Sequence, residues 1–251
     1  MRFDLETSCA VLQRLEETTG ARSEADSLRL AAMALHFISG QGSLLDFEDY
    51  LACFEAELPE ASLARFATRE LAQDELRQAA VSAVSPCVVA AGRRHSIGYS
   101  LDEGERFLIP VPSKEEVRTV GPGSMPRLVS GVRGLLRAEV HATSSEEHAC
   151  LQLALLALHF IGASGRWGEF ERFTRLFDTQ EPVLPLRVFS SRQEAERWLN
   201  GHPRPPHGGQ VQIAGQRFVV GYDRETALRV LVRSPSLHEL GLSRAPDDSA
   251  G

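Results

Sequence analysis

Histidine is the residue type of this chain that could most readily carry chemistry at neutral pH, because an unperturbed imidazole titrates close to that range. His36 and His159 occupy the same position in the pentapeptide Ala-Leu-His-Phe-Ile, which occurs twice. Each is followed by a matching glutamate, Glu48 or Glu171, so an imidazole and a carboxylate could act as a general base or bind a metal. One histidine and one glutamate complete neither a metal site nor a catalytic triad. We therefore interpret both histidines as structural residues near the ends of their helices, where the helix dipole favours them.

Two more histidines lie in the segment 202–209, which reads His-Pro-Arg-Pro-Pro-His-Gly-Gly. Its histidines could contact a metal, and its prolines could form an extended docking peptide. We favour a stiff connector between a helix and a strand, because prolines restrict the backbone.

The cysteines provide no further candidate for chemistry. Cys9, Cys53, Cys87 and Cys150 are scattered singly, and none has a cysteine at the corresponding position of the other half. This distribution lacks the spacing of a metal site or of a disulfide framework. The expectation is four reduced thiols in a cytoplasmic protein.

A tandem duplication positions these residues. The pentapeptide recurs after 123 residues, and the same offset, without a gap, aligns Gly42 with Gly165 and Gly98 with Gly221. Self-similarity over nearly the whole chain predicts two copies of one structural unit. We predict a first, acidic repeat over residues 1–120, a linker over 121–124, a second repeat over 125–245 and a disordered tail over 246–251.

Hydrophobic periodicity predicts the same order of helices and strands in each repeat. Helical spacing indicates a helix over 5–18, a second over 25–39 and a third that contains Phe47 and Phe54. The second is apolar on most of its circumference, which indicates burial against several neighbours. Alternation then indicates short strands, including 184–188 and 217–222, with a tight turn at 214–216. The fold class is therefore α+β, each copy having three helices followed by a small, mainly antiparallel sheet with one further helix.

The net charge differs between the halves. Residues 1–123 contain 12 basic and 20 acidic residues, a net charge of −8, whereas residues 124–251 contain 15 and 14, a net charge of +1. An acidic half argues against nucleic-acid binding, because phosphate neutralisation needs a basic surface. It is compatible with a basic protein partner. We recognise no signal peptide and no apolar run long enough to span a bilayer, so no membrane insertion is predicted.

The acidic face of the third helix and the turn after it are our candidate partner-binding surface. Several of its acidic positions are basic, neutral or apolar in the second copy, which is expected where an exposed face specialises. An ordinary solvated helix face would look the same. The candidate contacts comprise five acidic residues and one aromatic anchor: Asp46, Asp49, Tyr50, Glu55, Glu57 and Glu60.

These observations predict a non-catalytic protein that acts by occupying another protein, as immunity or regulatory factors do. The sequence contains no phosphate-binding loop and no candidate nucleophile with a base, so we predict no catalytic residue, cofactor or metal. One alternative is a small-ligand sensor or carrier with a pocket between the repeats. A further alternative is an enzyme of unknown class.

Overall fold

The two repeats contain the same α-helices and strands in the same order, and in the first a 3-10 helix (Glu116–Arg118) follows the last strand. The computed structural model describes residues 4–56, 63–78, 87–101, 105–120, 125–178 and 184–234. The predicted linker and tail lie outside these residues. The first repeat contains α1 (Leu5–Thr18), α2 (Arg22–Gly40), α3 (Leu44–Glu55), β1 (Arg65–Phe66), α4 (Arg69–Gln78), β2 (Cys87–Ala90), β3 (Arg93–Tyr99) and β4 (Arg106–Pro110). The second contains α5 (Pro126–His141), α6 (Ser145–Ala163), α7 (Trp167–Asp178), β5 (Arg187–Phe189), α8 (Arg192–Gly201), β6 (Gln210–Ile213), β7 (Gln216–Tyr222) and β8 (Arg229–Arg233).

This arrangement confirms the predicted α+β fold of two repeated units. The strands form sheet A, in the order β1-β2-β3-β4, and sheet B, in the order β5-β6-β7-β8. The first pair of strands in each sheet is parallel and is joined through a helix, while the other pairs are antiparallel hairpins. Parallel strands require such a crossover. Strand β5 is shorter than predicted and begins later, since only Arg187–Phe189 pairs with β6.

The tight turns between the second and third strands of each sheet have the same backbone geometry. Ala91 and Gly92 have φ of 49° and 75°, and Ala214 and Gly215 have φ of 48° and 83°. Two successive positive φ values match the twist of the hairpin strands. The predicted turn at 214–216 is therefore confirmed, and its first-repeat counterpart has the same form.

The first three helices of each repeat share one apolar core, with α2 and α6 at its centre. α2 packs against α1, α5 and α6. Leu35 and Leu158 are fully buried, which confirms that these two helices are central. α5 crosses α2 closely at Gly134. A Cβ atom added there would collide with the side chain of Ser27, so this crossing requires a glycine. The repeats therefore meet through their helical layers.

Each sheet buries one face against its own short helix. In sheet A this face packs against Ala72 and Leu76 of α4, and in sheet B against Ala195 and Leu199 of α8. Phe218 of sheet B, which aligns with His95, has no counterpart in the sheet A cluster, but four other strand residues of each sheet correspond at the 123-residue offset. They are Val88, Ala90, Ile97 and Leu108 in sheet A, and Val211, Ile213, Val220 and Leu231 in sheet B.

A disulfide between Cys53 and Cys87 joins α3 to sheet A. The expectation of reduced thiols is therefore wrong for this pair, while Cys9 and Cys150 are free thiols. Cys53 and Cys87 are 34 residues apart in the sequence, a spacing that does not by itself indicate a disulfide. The packing of α3 on β2 brings their two Cα atoms to 5.3 Å.

No single helix of the described chain has the length and apolar content to cross a membrane. α6 and residues 167–176 reach these limits only together, as a pair bent by 119°.

Candidate functional site

Three of the six residues of the predicted acidic face are buried. Asp46 and Asp49 are 8% and 9% exposed, and Tyr50 is fully buried. The prediction is therefore wrong for these three residues, and we no longer consider them partner contacts. Glu55 is exposed at the end of α3, and Glu57 and Glu60 lie outside the described residues.

Two arginines of the second repeat bury these carboxylates. Arg204 places its Nη2 atom 2.7 Å from Oδ2 of Asp49 and its Nε atom 3.4 Å from Oδ1 of Asp46. Arg224 donates to Oδ1 of Asp49 at 2.7 Å. Both guanidinium groups also donate to the carbonyl oxygen of Leu45, at 2.6 and 2.7 Å. α3 is thus an interface between the repeats.

Three residues of this charge cluster, Asp49, Arg204 and Arg224, do not recur in the other repeat, although Asp46 aligns with an acidic residue, Glu169. Asp49 aligns with Arg172, and Arg224 aligns with Leu101. No symmetry-related cluster can form, so this cluster fixes sheet B to α3 and gives the repeats an asymmetric arrangement. The divergence that suggested an exposed face therefore reflects an internal interface.

Asp46, in the first turn of α3, contacts a residue of each repeat. It accepts a hydrogen bond of 3.0 Å from the backbone N–H of Tyr99, in addition to its contact with Arg204. Burial raises the pKa of Asp46 to about 6, although Arg204 and the N–H of Tyr99 act in the opposite direction. The carboxyl is therefore ionised at neutral pH and takes up a proton in mildly acidic solution.

We expect stability to depend on pH through Asp46. Its pKa is higher in the folded than in the unfolded state, so folding takes up a proton between about pH 4 and the folded-state value of about 6. The contribution of this carboxyl to the free energy of unfolding is complete below about pH 4. It is lost as the pH rises through the folded-state pKa, and the loss amounts to at most about 3 kcal/mol. Asp46→Asn should remove this dependence. Urea denaturation of both proteins in mildly acidic and neutral buffer tests it, and parallel pH profiles would contradict it.

The segment 202–209 connects α8 to β6, as predicted, and also contacts the first repeat. Nε2 of His202 lies 2.9 Å from the carbonyl oxygen of Leu101. The guanidinium group of Arg204 lies over the ring of Tyr99, 5.2 Å from its centroid. Pro206 packs so closely on Gly42 that a Cβ atom there would collide with it. The prolines therefore stiffen an interface as well as a connector.

The histidines of the repeated pentapeptide contact a thiol and a backbone carbonyl group. Nε2 of His36 lies 3.6 Å from Sγ of Cys9, and Nε2 of His159 donates to the carbonyl oxygen of Val117 at 3.0 Å. Burial lowers the pKa of both histidines. Glu171 accepts from the indole N–H of Trp167. Among the described residues, no three histidine, cysteine, aspartate or glutamate side chains gather as metal ligands would.

A cleft of about 460 Å³ lies between the repeats. Its first-repeat wall includes Tyr99 and Phe107, and its second-repeat wall includes Arg172, Phe173 and Arg187. The α7 residues in this wall align with α3 residues that are buried in the first repeat. The cleft thus combines aromatic side chains with arginines.

The two sheets differ in what covers the face opposite α4 or α8. In sheet A this face packs against α3 at β2 and β3 and against α6 at β4, and Val89 and Ile109 are 8% and 0% exposed. Within the described chain, α7 makes no comparable packing contact with any strand of sheet B. The equivalent face of sheet B, which we call the open face, comprises Val188, Gln210, Gln212, Arg217, Val219, Val230 and Val232.

Valines of the open face contact solvent. Val188, Val230 and Val232 are 64%, 37% and 57% exposed, although Ile109, the counterpart of Val232, is fully buried. Apolar surface that is covered in one copy and uncovered in the other points to an interaction site. Sequence reasoning missed this face. The available signal was the run of apolar residues at 230–232, because consecutive apolar residues place apolar side chains on both faces of a strand.

Comparisons of the chain with protein-family models, with curated proteins and with solved structures gave no match.

Proposed function

We propose that this chain is a non-catalytic protein-binding factor that binds its partner through the open face of sheet B. The observation that carries the proposal is the difference between the sheets. The same face is covered by α3 and α6 in the first repeat and exposes valines in the second. Burying such valines against a partner is favourable, since removing apolar surface from water contributes about 25 cal/mol per Å² before the costs of association.

The contacts of the candidate catalytic residues also favour a binding function. His159 is held by a backbone carbonyl group, and Glu171 by an indole N–H. An immunity or regulatory role would follow from binding alone. A cytoplasmic location remains a prediction, and the Cys53–Cys87 disulfide argues against it, because reducing compartments keep such pairs as thiols.

We expect a photo-crosslinking residue at Val232 to form one discrete adduct with a partner protein in the native host. The matched control is the same residue at Val140, an apolar position on α5 that is 79% exposed. Val188→Lys in the Val232-labelled chain should reduce the adduct by about tenfold, because a charge buried in an interface is costly to desolvate. Thermal melting of the variant establishes that it is folded. Equal adducts at both labelled positions, or none at Val232, would refute the proposed site.

A second candidate function is small-ligand binding in the cleft between the repeats. It is favoured by the exposed guanidinium group of Arg172 beside the aromatic side chains of Phe107 and Phe173. This combination suits a small aromatic anion. Such a ligand would raise the melting temperature by stabilising the folded state, and Arg172→Gln should reduce the rise. Screening small aromatic carboxylates tests this function, and an unchanged melting temperature with all of them would count against it.

A further inference from the structure

We propose that a second pocket between the repeats binds a small uncharged aromatic molecule that carries a primary amide. This tyrosine pocket is lined by Tyr50 and Glu116 of the first repeat and by His159 and Trp167 of the second. Its volume of about 460 Å³ is within the range of small-molecule sites. It shares none of its described lining residues with the cleft or the open face, so the inference concerns a further site.

The first observation is the hydroxyl group of Tyr50. The residue is fully buried, and its hydroxyl group has no hydrogen-bond partner among the residues that the structure describes. Burying a hydroxyl group without a partner is unfavourable. The corresponding residue of the second repeat is Phe173, which is buried in the same core. Since a phenyl ring satisfies the packing there, the hydroxyl group of Tyr50 is explained by a ligand that accepts its hydrogen bond.

Glu116 indicates the side on which this hydroxyl group lies. Burial raises the pKa of Tyr50, and the negative charge of Glu116 raises it further. The hydroxyl group is therefore within electrostatic reach of the Glu116 carboxylate, which lines the pocket. Because it stays protonated, it can donate a hydrogen bond to an acceptor in the pocket.

The second hydrogen-bonding group is the imidazole of His159. Its Nε2 atom donates to the carbonyl oxygen of Val117 at 3.0 Å, so the ring proton is on Nε2. Burial lowers the pKa of His159, which keeps the ring neutral at neutral pH. Nδ1 is therefore an unprotonated acceptor, and no described residue forms a hydrogen bond with it. The pocket thus offers one neutral donor and one neutral acceptor.

The remaining walls favour an uncharged, mainly apolar ligand. Arg93 and Glu116 both line the pocket, but they pair with each other at 2.9 Å, so their charges compensate. The apolar walls include Met125, Leu128 and Trp167. Aromatic rings pack favourably against thioether and indole groups. A ring that carries no charge therefore fits these walls.

A primary amide on that ring matches both hydrogen-bonding groups. Its carbonyl oxygen accepts from the hydroxyl group of Tyr50, and its N–H group donates to Nδ1 of His159. A carboxylate lacks the N–H group and carries a charge that the pocket does not compensate. A hydrocarbon offers neither a donor nor an acceptor. Benzamide is therefore the simplest probe of this site, and benzoate and toluene are its matched controls.

The test titrates benzamide into the full chain and follows binding by saturation-transfer NMR. We expect saturable binding, with benzoate and toluene each binding at least about tenfold more weakly. Tyr50→Phe introduces the residue found at the counterpart position. It should weaken benzamide binding by about tenfold and raise the melting temperature of the ligand-free chain, because it removes an unpartnered hydroxyl group. Val140→Lys, on the exposed face of α5, should leave binding unchanged.

Absence of saturable binding, or equal affinity of Tyr50→Phe and the parent, would overturn the proposal. Equal affinity for benzamide and toluene would show apolar binding alone and would also overturn it. Loss of binding in Arg172→Gln but not in Tyr50→Phe would place benzamide in the cleft and refute the site. Should Tyr50→Phe fail to fold, His159→Phe is the second variant, and an unchanged affinity in it would have the same consequence. Crosslinking at Val232 tests the open face independently of these results.

Discussion

Replacing Arg204 with alanine should lower the free energy of unfolding by about 3–5 kcal/mol at neutral pH, since removing one partner of a buried ion pair leaves an uncompensated charge. The Arg204 side chain is 13% exposed and contacts both Asp46 and Asp49. Urea denaturation measures the loss. Hydrogen exchange should show it concentrated in β6 and β7, because the arginine fixes sheet B to α3.

The pH dependence of this variant gives an internal check. At mildly acidic pH, Asp46 takes up a proton and no longer needs the arginine, so the cost of Arg204→Ala should fall. The matched control is Arg192→Ala, which breaks an exposed pair with Glu196 and should cost less than about 1 kcal/mol. If the two variants were equally stable at neutral pH, the cluster would not hold the repeats together.

Truncation of Leu158 to alanine should lower the free energy of unfolding by about 2–5 kcal/mol, because it removes buried apolar surface and leaves a cavity. Leu158 is fully buried at the centre of the core shared by both repeats, and Leu35→Ala should have an effect of the same size. Chemical denaturation measures both. Val140→Ala, at an exposed position, should change stability by less than about 0.5 kcal/mol.

The consequence of the shared core is cooperative unfolding of the two helical layers. α2 packs against α5 and α6, so truncation in either repeat should destabilise helices of both. A variant that melts one set of helices while the other remains folded would contradict a common core.

The divergence between the copies explains why one sheet is covered and the other open. Arg204 and Arg224 fix sheet B to the N-terminal part of α3, which belongs to the other repeat. α7 instead packs on the helical core through Trp167 and Phe170. Sheet B is thus held by α3 of the other repeat, and α7 is held by the helical core. As a result, α7 does not lie over sheet B as α3 lies over sheet A. The open face follows from this separation.

Local sequence and the internal repeat determined the fold class of this protein. Leu35 and Leu158 belong to helices that are apolar on most of their circumference, and such helices must be buried wherever they lie. The turn at Ala214 and Gly215 follows from local backbone preferences. A constant offset then requires the same order of helices and strands in both halves. These conclusions depend on neighbouring residues, so they needed no knowledge of distant contacts.

The tertiary structure alone decided which surfaces are available for binding. The sequence shows Asp46 and Asp49 as carboxylates on a helix, but their burial depends on Arg204 and Arg224, more than 150 residues away along the chain. Val232 resembles its counterpart Ile109 in chemistry, yet Ile109 lies on β4, which packs against α6 in the shared core, whereas Val232 is 57% exposed. Exposure depends on how the repeats dock. That docking is set by contacts between residues far apart in sequence, which neither composition nor periodicity encodes.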